Sequence, residues 1–450
     1  MKVPVLPPDM EKIYTQDNWE RVMDWGRILK SGPPRAEVEG EYLHWDKLRH
    51  LTPPDGLTHE QWWLAIKLSR LALARILSLH DKDGAPFTVS LSESIERRLF
   101  FIGRDAAGSL KGFDGTEDES SKDRYLVRSL IEEAMTSSQL EGAATTTQVA
   151  KDMLRTGRKP RDYGERMIYN NFNTMRELKR WVEKPLTPDT VFEIHRMLTS
   201  GTLKEECWAG RFRTAEDNIV VEDETGCTLH VPPKAEELPQ RLQMLCDFAN
   251  AGMDSGPNFL NPVVRAILIH FQIGYDHPFC DGNGRTARAL FYWAMLRSGF
   301  WLMEYVSISS ILRKTPGQYM RAYLYAETDK SDATYFVDQQ LNVIVAAING
   351  LHDYLARKRK AQQRAETLLK PGSALARKLN HRQRALLLDA LRHPEKPYII
   401  EGHRRSHDVT YQTARSDLLG LVEERLLTQY KQGRAFVFIP APDLPERIKR

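Results

Sequence analysis

Residues 261 to 300 read NPVVRAILIHFQIGYDHPFCDGNGRTARALFYWAMLRSGF. Asn261 can cap a helix and Pro262 suits its first position, while Val264, Ile267, Leu268 and Phe271 recur at the spacing of one helix face. A buried helix therefore runs into His277. Past the glycines, Ala287, Leu290, Phe291 and Ala294 repeat the period, and Gly299 is placed to end it. Helix, tight loop and helix start follow in order, and the fold class is mainly α.

The loop and helix start, residues 277 to 288, hold one imidazole, one carboxylate, an Asn between two glycines and two arginines. Gly282, Asn283 and Gly284 allow positive φ and close backbone approach where the next helix exposes unpaired N–H groups, a geometry that favours an anion. Alone, Asn-Gly is only a common turn. Arg285 and Arg288 lie three apart in the first helical turn, where the helix dipole disfavours cations by ~0.3–1 kcal/mol each. An acidic ligand offsets that cost through charge-assisted hydrogen bonds of roughly 1.5–3 kcal/mol apiece, and a polyphosphate fits better than one carboxylate. Asp281 would be repelled by such a ligand unless it binds Mg²⁺; its plainer role is helix N-cap. His277 titrates near neutral pH and suits general-base work on a hydroxyl, although a lone His is more often structural. Zinc has no second ligand at usable spacing. Phe279 reads as a core anchor that fixes the loop.

Residue for residue, this stretch is similar to the HxFx(D/E)GNGRxxR signature of the Fic family, and the resemblance extends over about residues 124 to 340. The family has a helical core and usually transfers AMP from ATP to a protein hydroxyl. The resemblance implies that His277 is the base, Asp281 the Mg²⁺ ligand, Gly282, Asn283, Gly284 and Arg285 the cradle of the α- and β-phosphates, and Arg288 the γ-phosphate contact. It makes ATP the substrate and Mg²⁺ the cofactor. "WAGRFR" (208 to 213), the hairpin pattern "DNIVVEDETGCTLHVPP" (217 to 233) and "VPPKAEELP" resemble the family's flap, which holds the protein target. An exposed strand edge can bind an extended peptide through main-chain hydrogen bonds. Gly274 departs from the acidic residue of many relatives, with a local packing effect expected.

"SSQLEG" (137 to 142) resembles the family's inhibitory (S/T)xxxE(G/N) signature, with Ser137, Glu141 and Gly142 in register. Read alone, it is an amphipathic helix with an exposed Glu and a glycine C-cap. A Glu at a helix C-terminus faces the negative dipole end, so a cationic partner relieves it. The resemblance makes that partner Arg288, whose engagement would misalign ATP. In some relatives the same Glu orients a water that removes AMP, and sequence does not separate the two roles.

The chain has 450 residues, of which 41% are hydrophobic and 28% charged, the composition of a soluble globular protein with about three domains. Neither a signal peptide nor the ~20 apolar residues of a membrane span appears, so a cytoplasmic protein without membrane contact is expected. Cys207, Cys227, Cys246 and Cys280 form no CxxC pair and read as reduced bystanders. Residues 355 to 450 carry 21 basic and 10 acidic side chains, a surplus of 11, against +4 for the whole chain. Anionic partners would meet that end first.

Four regions follow: a helical N-terminal region over 1–120, a Fic domain with its inhibitory helix over 121–350, a charged helical linker over 351–372 and a winged-helix-like domain over 373–450. The glycine-rich stretch at 103 to 123 is expected to loop out. In the last region "HRQRALLLDALR" (381 to 392) reads as a helix, and residues 409 to 440 as helix, strand, glycine turn and strand. Val409, Ala414, Leu418 and Leu421 form its buried side, leaving Arg404, Arg405, Gln412 and Arg415 to phosphates or base edges. A DNA or protein partner for this region, and a homodimer, are left open. The expected activity is protein adenylyl transfer restrained by Glu141 on Arg288. The alternatives are removal of AMP, a kinase or other phosphoryl-containing group transferase, and a DNA-binding regulator with a vestigial core.

Overall fold

A computed structural model describes residues 2–9, 35–54, 56–107, 119–223, 225–251, 259–369, 377–394, 396–432 and 435–448. Of the glycine-rich stretch expected to loop out over 103 to 123, residues 108–118 lie outside them, while 103–107 and 119–123 are the ends of helices rather than loop. The chain divides into two compact units, Met1–Gly108 with Val127–Ile348, and Ser109–Leu126 with Asn349–Arg450. Among the described residues no helix is long and apolar enough to cross a membrane.

In chain order the first unit runs through α1 (His59–Leu73), β1 (Ala74–His80), β2 (Pro86–Ser90), α2 (Glu93–Ala107), α3 (Glu119–Leu140), α4 (Thr147–Thr156), α5 (Tyr163–Glu177) and α6 (Pro188–Thr199). It continues with β3 (Val221–Glu222), β4 (Thr228–His230), α7 (Leu238–Asn250), α8 (Pro262–Asp276), α9 (Asn283–Arg297), α10 (Pro316–Thr328) and α11 (Thr334–Leu368). The start of α3 and the later part of α11 belong to the second unit. α8 and α9 are the centre of the first unit. Nearly every position of both is buried, as expected of helices that are covered on all sides. The caps are those the sequence announces: the Asn261 side chain accepts from Val263 N at 3.0 Å, and Gly299 turns with φ 84° just past the end of α9.

The N-terminal region is not wholly helical. "LALARIL" was expected to continue the helix, but α1 stops at Leu73 and the next seven residues form β1. Leu77 and Leu79 are buried while Arg75, Ile76 and Ser78 are exposed, a period of two. The turn decides it: Asp81 Oδ1 accepts from Asp83 N and Ala85 N at 2.9 and 2.8 Å, and Gly84 takes φ 84°. β1 then pairs antiparallel with β2, Arg75 opposite Val89.

Over 217 to 233 the hairpin is shorter than its pattern suggests, with Val221 opposite His230 and Glu222 opposite Thr228. His230 pins it to the core: Nε2 lies 2.8 Å from the carbonyl of Tyr275, and Nδ1 2.9 Å from Glu327. Gly274 packs against Tyr323, whose hydroxyl a Cβ there would strike. None of the four cysteines is paired.

The second unit adds α12 (His381–Arg392), β5 (Tyr398–Ile399), α13 (Ile400–His407), α14 (Tyr411–Glu423), β6 (Leu427–Gln432) and β7 (Ala435–Pro440). Its sheet has the order β5-β7-β6, all antiparallel. Ala414, Leu418 and Leu421 are in its core with Val409 packed against them, and Gln412 and Arg415 are exposed. Arg404 and Arg405 both donate to Glu401, at 2.7 and 3.1 Å, while their side chains stay 41% and 74% exposed. The i+3 and i+4 spacing on α13 brings those groups together.

One buried cation ties α1 to the start of α11. Arg70 donates to the carbonyls of Ala36 and Leu43 and to the Tyr335 hydroxyl, and it stacks 3.6 Å from the Tyr42 ring. Asp329, paired with Lys67 at 3.0 Å, also receives the Tyr335 hydroxyl. Removing a buried charge from such a set costs about 3–5 kcal/mol. Arg70→Ala is expected to lower the first unit's urea midpoint accordingly, while Arg415→Ala, on an exposed face, leaves both units' midpoints in place.

Candidate functional site

His277 closes α8 in the left-handed region, φ 46° and ψ 56°, with its amide donating to Ile273 O at 3.1 Å. Its Nδ1 lies 3.2 Å from the carbonyl of Gly274. A carbonyl only accepts, so the proton sits on Nδ1 and Nε2 keeps its lone pair. Burial, the largest influence, pulls the imidazole down to about 4, although the Gly274 carbonyl acts the other way. Near neutral pH this is an uncharged base.

The loop is closed by side chains acting on its backbone. Asn283 Oδ1 accepts from Phe279 N at 2.9 Å and its Nδ2 donates to Phe279 O at 2.8 Å. Phe279 is fully buried and stacks on the His195 ring, centroids 3.8 Å apart. His195 has a defined tautomer: Gly210 N donates to Nδ1 at 2.9 Å, so Nε2 carries the proton and donates to the Asp281 carbonyl at 2.8 Å. Burial, above all, lowers it to about 4 as well. At Gly282, φ 87°, a Cβ would meet the Thr199 methyl at 2.7 Å and His195 Nε2 at 3.2 Å. α6 thus forms the floor of the loop.

Of the three loop residues, only Gly282 needs a positive φ. Asn283 and Gly284 are already helical, and Arg288 lies in the second turn of α9, not the first. Gly284 matters in another way, because a Cβ there would overlap the Glu141 carboxylate and crowd Arg288 at 3.0 Å, so those side-chain ends would have to shift. Arg285 is buried, donating to Leu198 O at 3.1 Å and to Asp281 Oδ1 at 3.2 Å. Asp281 is not the cap: Gly282 holds that position, and the Asp281 side chain stays 40% exposed.

Glu141 reaches this helix start from 147 residues away, its Oε1 accepting from Arg288 Nη2 at 2.8 Å. Ser137 takes two more bonds from Arg288, Oγ from Nε at 2.8 Å and the carbonyl from Nη2 at 3.1 Å. Gly142, φ 92°, turns the chain directly after. Burial would raise the Glu141 carboxyl, but Arg288 and Arg285 more than offset it and hold it below the usual range. One turn back, Glu133 is buried and accepts from the Tyr292 hydroxyl at 3.0 Å, Ser307 Oγ at 2.7 Å and Ser309 N at 3.1 Å. Glu133, Ser137 and Glu141 are spaced by four, so one stripe of α3 and the residue after it faces Arg288 and Tyr292 of α9.

Every residue the sequence singled out around the loop is therefore in one place. His195, Arg213 and Glu133 were not singled out. His195 interrupts the apolar face Val191, Ile194, Leu198, and Glu133 shares the four-residue spacing of Ser137 and Glu141, which are readable signals; the buried role of Arg213 left none.

Residues 185–295 match the model of the Fic/DOC family. Protein adenylyltransferase Fic of Nematostella vectensis is 36% identical over 115 residues, 26% of this chain and 24% of that relative. Protein adenylyltransferase fic-1 of Caenorhabditis elegans is 35% identical over 112 residues, 25% and 20% respectively. The matches span only about a quarter of the length of these relatives. A solved structure of a Fic-1 variant from C. elegans superposes with a TM-score of 0.50 at 19% identity, covering 78% of this chain and 92% of that one, a likeness of fold.

The His277 imidazole is expected to titrate at about 4, far below 6.5. A histidine held neutral in the folded state lets the unfolded state bind more protons, so stability falls as pH drops from about 6.5 to about 4. Histidine NMR titration checks the first statement, and His277→Asn, which cannot titrate, is expected to flatten part of the loss in urea midpoint across that window.

Proposed function

We propose that this chain, which carries a Fic/DOC domain, is a protein adenylyltransferase that moves AMP from ATP to a Ser, Thr or Tyr hydroxyl of a protein. The observation that carries the reading is a neutral imidazole, an exposed carboxylate and two buried guanidiniums gathered at the start of one helix. The name shared by the curated relatives supports it.

In this reading the hydroxyl oxygen attacks the α-phosphorus and His277 Nε2 takes the hydroxyl proton. The bond from that phosphorus to the bridging oxygen breaks, and pyrophosphate leaves. The N–H groups at the start of α9 and Arg285 hold the α- and β-phosphates; the buried Nε of Arg285 has no protein partner and suits an anion. Arg288 takes the γ-phosphate. Asp281 fits Mg²⁺, since its carboxylate is half open and phosphate oxygens complete the shell of such an ion. An ion held there by Asp281 would supply neutralisation of charge on the departing phosphates. A target segment lies along the flap strand β3 or β4, its hydroxyl toward His277.

The same geometry restrains the reaction. Glu141 puts a carboxylate on Arg288 and over Gly284, where an ATP phosphate belongs, so substrate and side chain compete for one position. A displaced α-phosphate is attacked poorly by the hydroxyl, because transfer depends on near-ångström alignment. We read the second unit as a winged helix whose exposed Gln412 and Arg415 meet a DNA or protein partner.

ATP labelled on the α-phosphate is expected to label protein, and ATP labelled on the γ-phosphate is not; the reverse result identifies a kinase. Glu141→Gly is expected to raise the labelling by about tenfold or more, and equal rates with the wild type would remove Glu141 from regulation. His277→Ala in that background is expected to lose roughly 10²–10⁴-fold in rate.

A further inference from the structure

The catalytic turn and the flap are separate stretches of chain, and one side chain touches both. Arg213 is 6% exposed. Its Nε donates to the carbonyl of His277 at 2.8 Å, and its Nη2 to the carbonyls of Pro233 at 2.6 Å and Asp276 at 3.3 Å. Its own amide donates to the carbonyl of Pro278 at 2.9 Å. Among the described residues it has no ion-pair partner. The Asp276 carboxylate is engaged instead by Arg241 at 2.7 Å.

A buried guanidinium without a counter-ion is costly, and burial draws Arg213 below its ordinary value. All the side-chain hydrogen bonds described for it go to main-chain carbonyls, so what it fixes is backbone. His277 needs that support. A side chain in the left-handed region costs about 1–2 kcal/mol, and this turn presents the carbonyls of Asp276, His277 and Pro278 to one residue. Pro233 lies just beyond β4, at the return of the flap.

We propose that Arg213 is a positioning residue that holds the His277 base and the flap in one register. A hydroxyl carried on the flap then arrives at the imidazole. The proposal rests on His277 being the base, and it adds that both stretches loosen together when Arg213 is lost. His230 makes a second link between flap and core, through Tyr275 and Glu327, so the flap loosens without detaching.

Hydrogen–deuterium exchange of the full chain tests this, comparing the wild type with Arg213→Met, which keeps the stem and removes the donors. Exchange is expected to rise by about fivefold or more in residues 217–233 and in 276–282 alike, and to stay within about twofold over α5 and α7. A rise in only one of the two segments, a rise across the whole helical core, or no rise overturns the proposal. If Arg213→Met does not fold, Arg213→Lys, which keeps the charge without the fork of donors, is judged by the same outcomes. In the transfer assay with Glu141→Gly as parent, Arg213→Met is expected to lower kcat by about tenfold or more with KM for ATP unchanged; equal losses in binding and turnover overturn the positioning role. Failure of the parent itself to transfer AMP counts against the adenylyltransferase reading, and the exchange result still decides the coupling.

Discussion

Two guanidinium groups buried at the amino end of one helix set the terms for everything around them. Arg285 and Arg288 are 1% and 2% exposed, at an end where the helix dipole is already positive. That arrangement is tolerable only with acceptors close by. α6 supplies the Leu198 carbonyl, the loop supplies Asp281, and α3 brings Ser137 and Glu141. The docking of α3 on α9 follows from this demand, with Glu133 and Tyr292 extending the same seam inward.

In the proposed adenylyltransferase the seam would make the resting state and the reactive state two solutions of one electrostatic problem. With Glu141 in place the cations are satisfied from within the chain; with a polyphosphate in place they are satisfied from outside. His277 is touched by that exchange, since the Glu141 carboxylate acts to raise its imidazole, but burial outweighs it. Its neutrality comes first from burial, and its orientation from the Gly274 carbonyl.

What was legible in the sequence was mostly local. Caps, periods and the loop glycines located α8 and α9, because Asn261, Pro262 and Gly299 act on their own neighbours. The limits were tertiary. Gly284 looked like a turn residue, yet it is helical and is kept small by Glu141, which no local pattern reveals. β1 was taken for helix because leucines fit both periods over a short run, and the Asp81 to Gly84 turn that settles the matter lies beyond it. Arg404 and Arg405 are at the surface as their pattern implies, and Glu401, at pairing distance along the same helix, accepts from both. Arg213 is the opposite case: its partners are carbonyls, and carbonyls carry no sequence identity.

The absent side chain of Gly284 has a broader consequence. The space it leaves is taken by the Glu141 carboxylate and is where the proposed phosphate would lie, so a Cβ there would force the ends of Glu141 and Arg288 to shift. In the proposed adenylyltransferase, a larger residue at this position would therefore disturb the Glu141 to Arg288 contact and the phosphate site together.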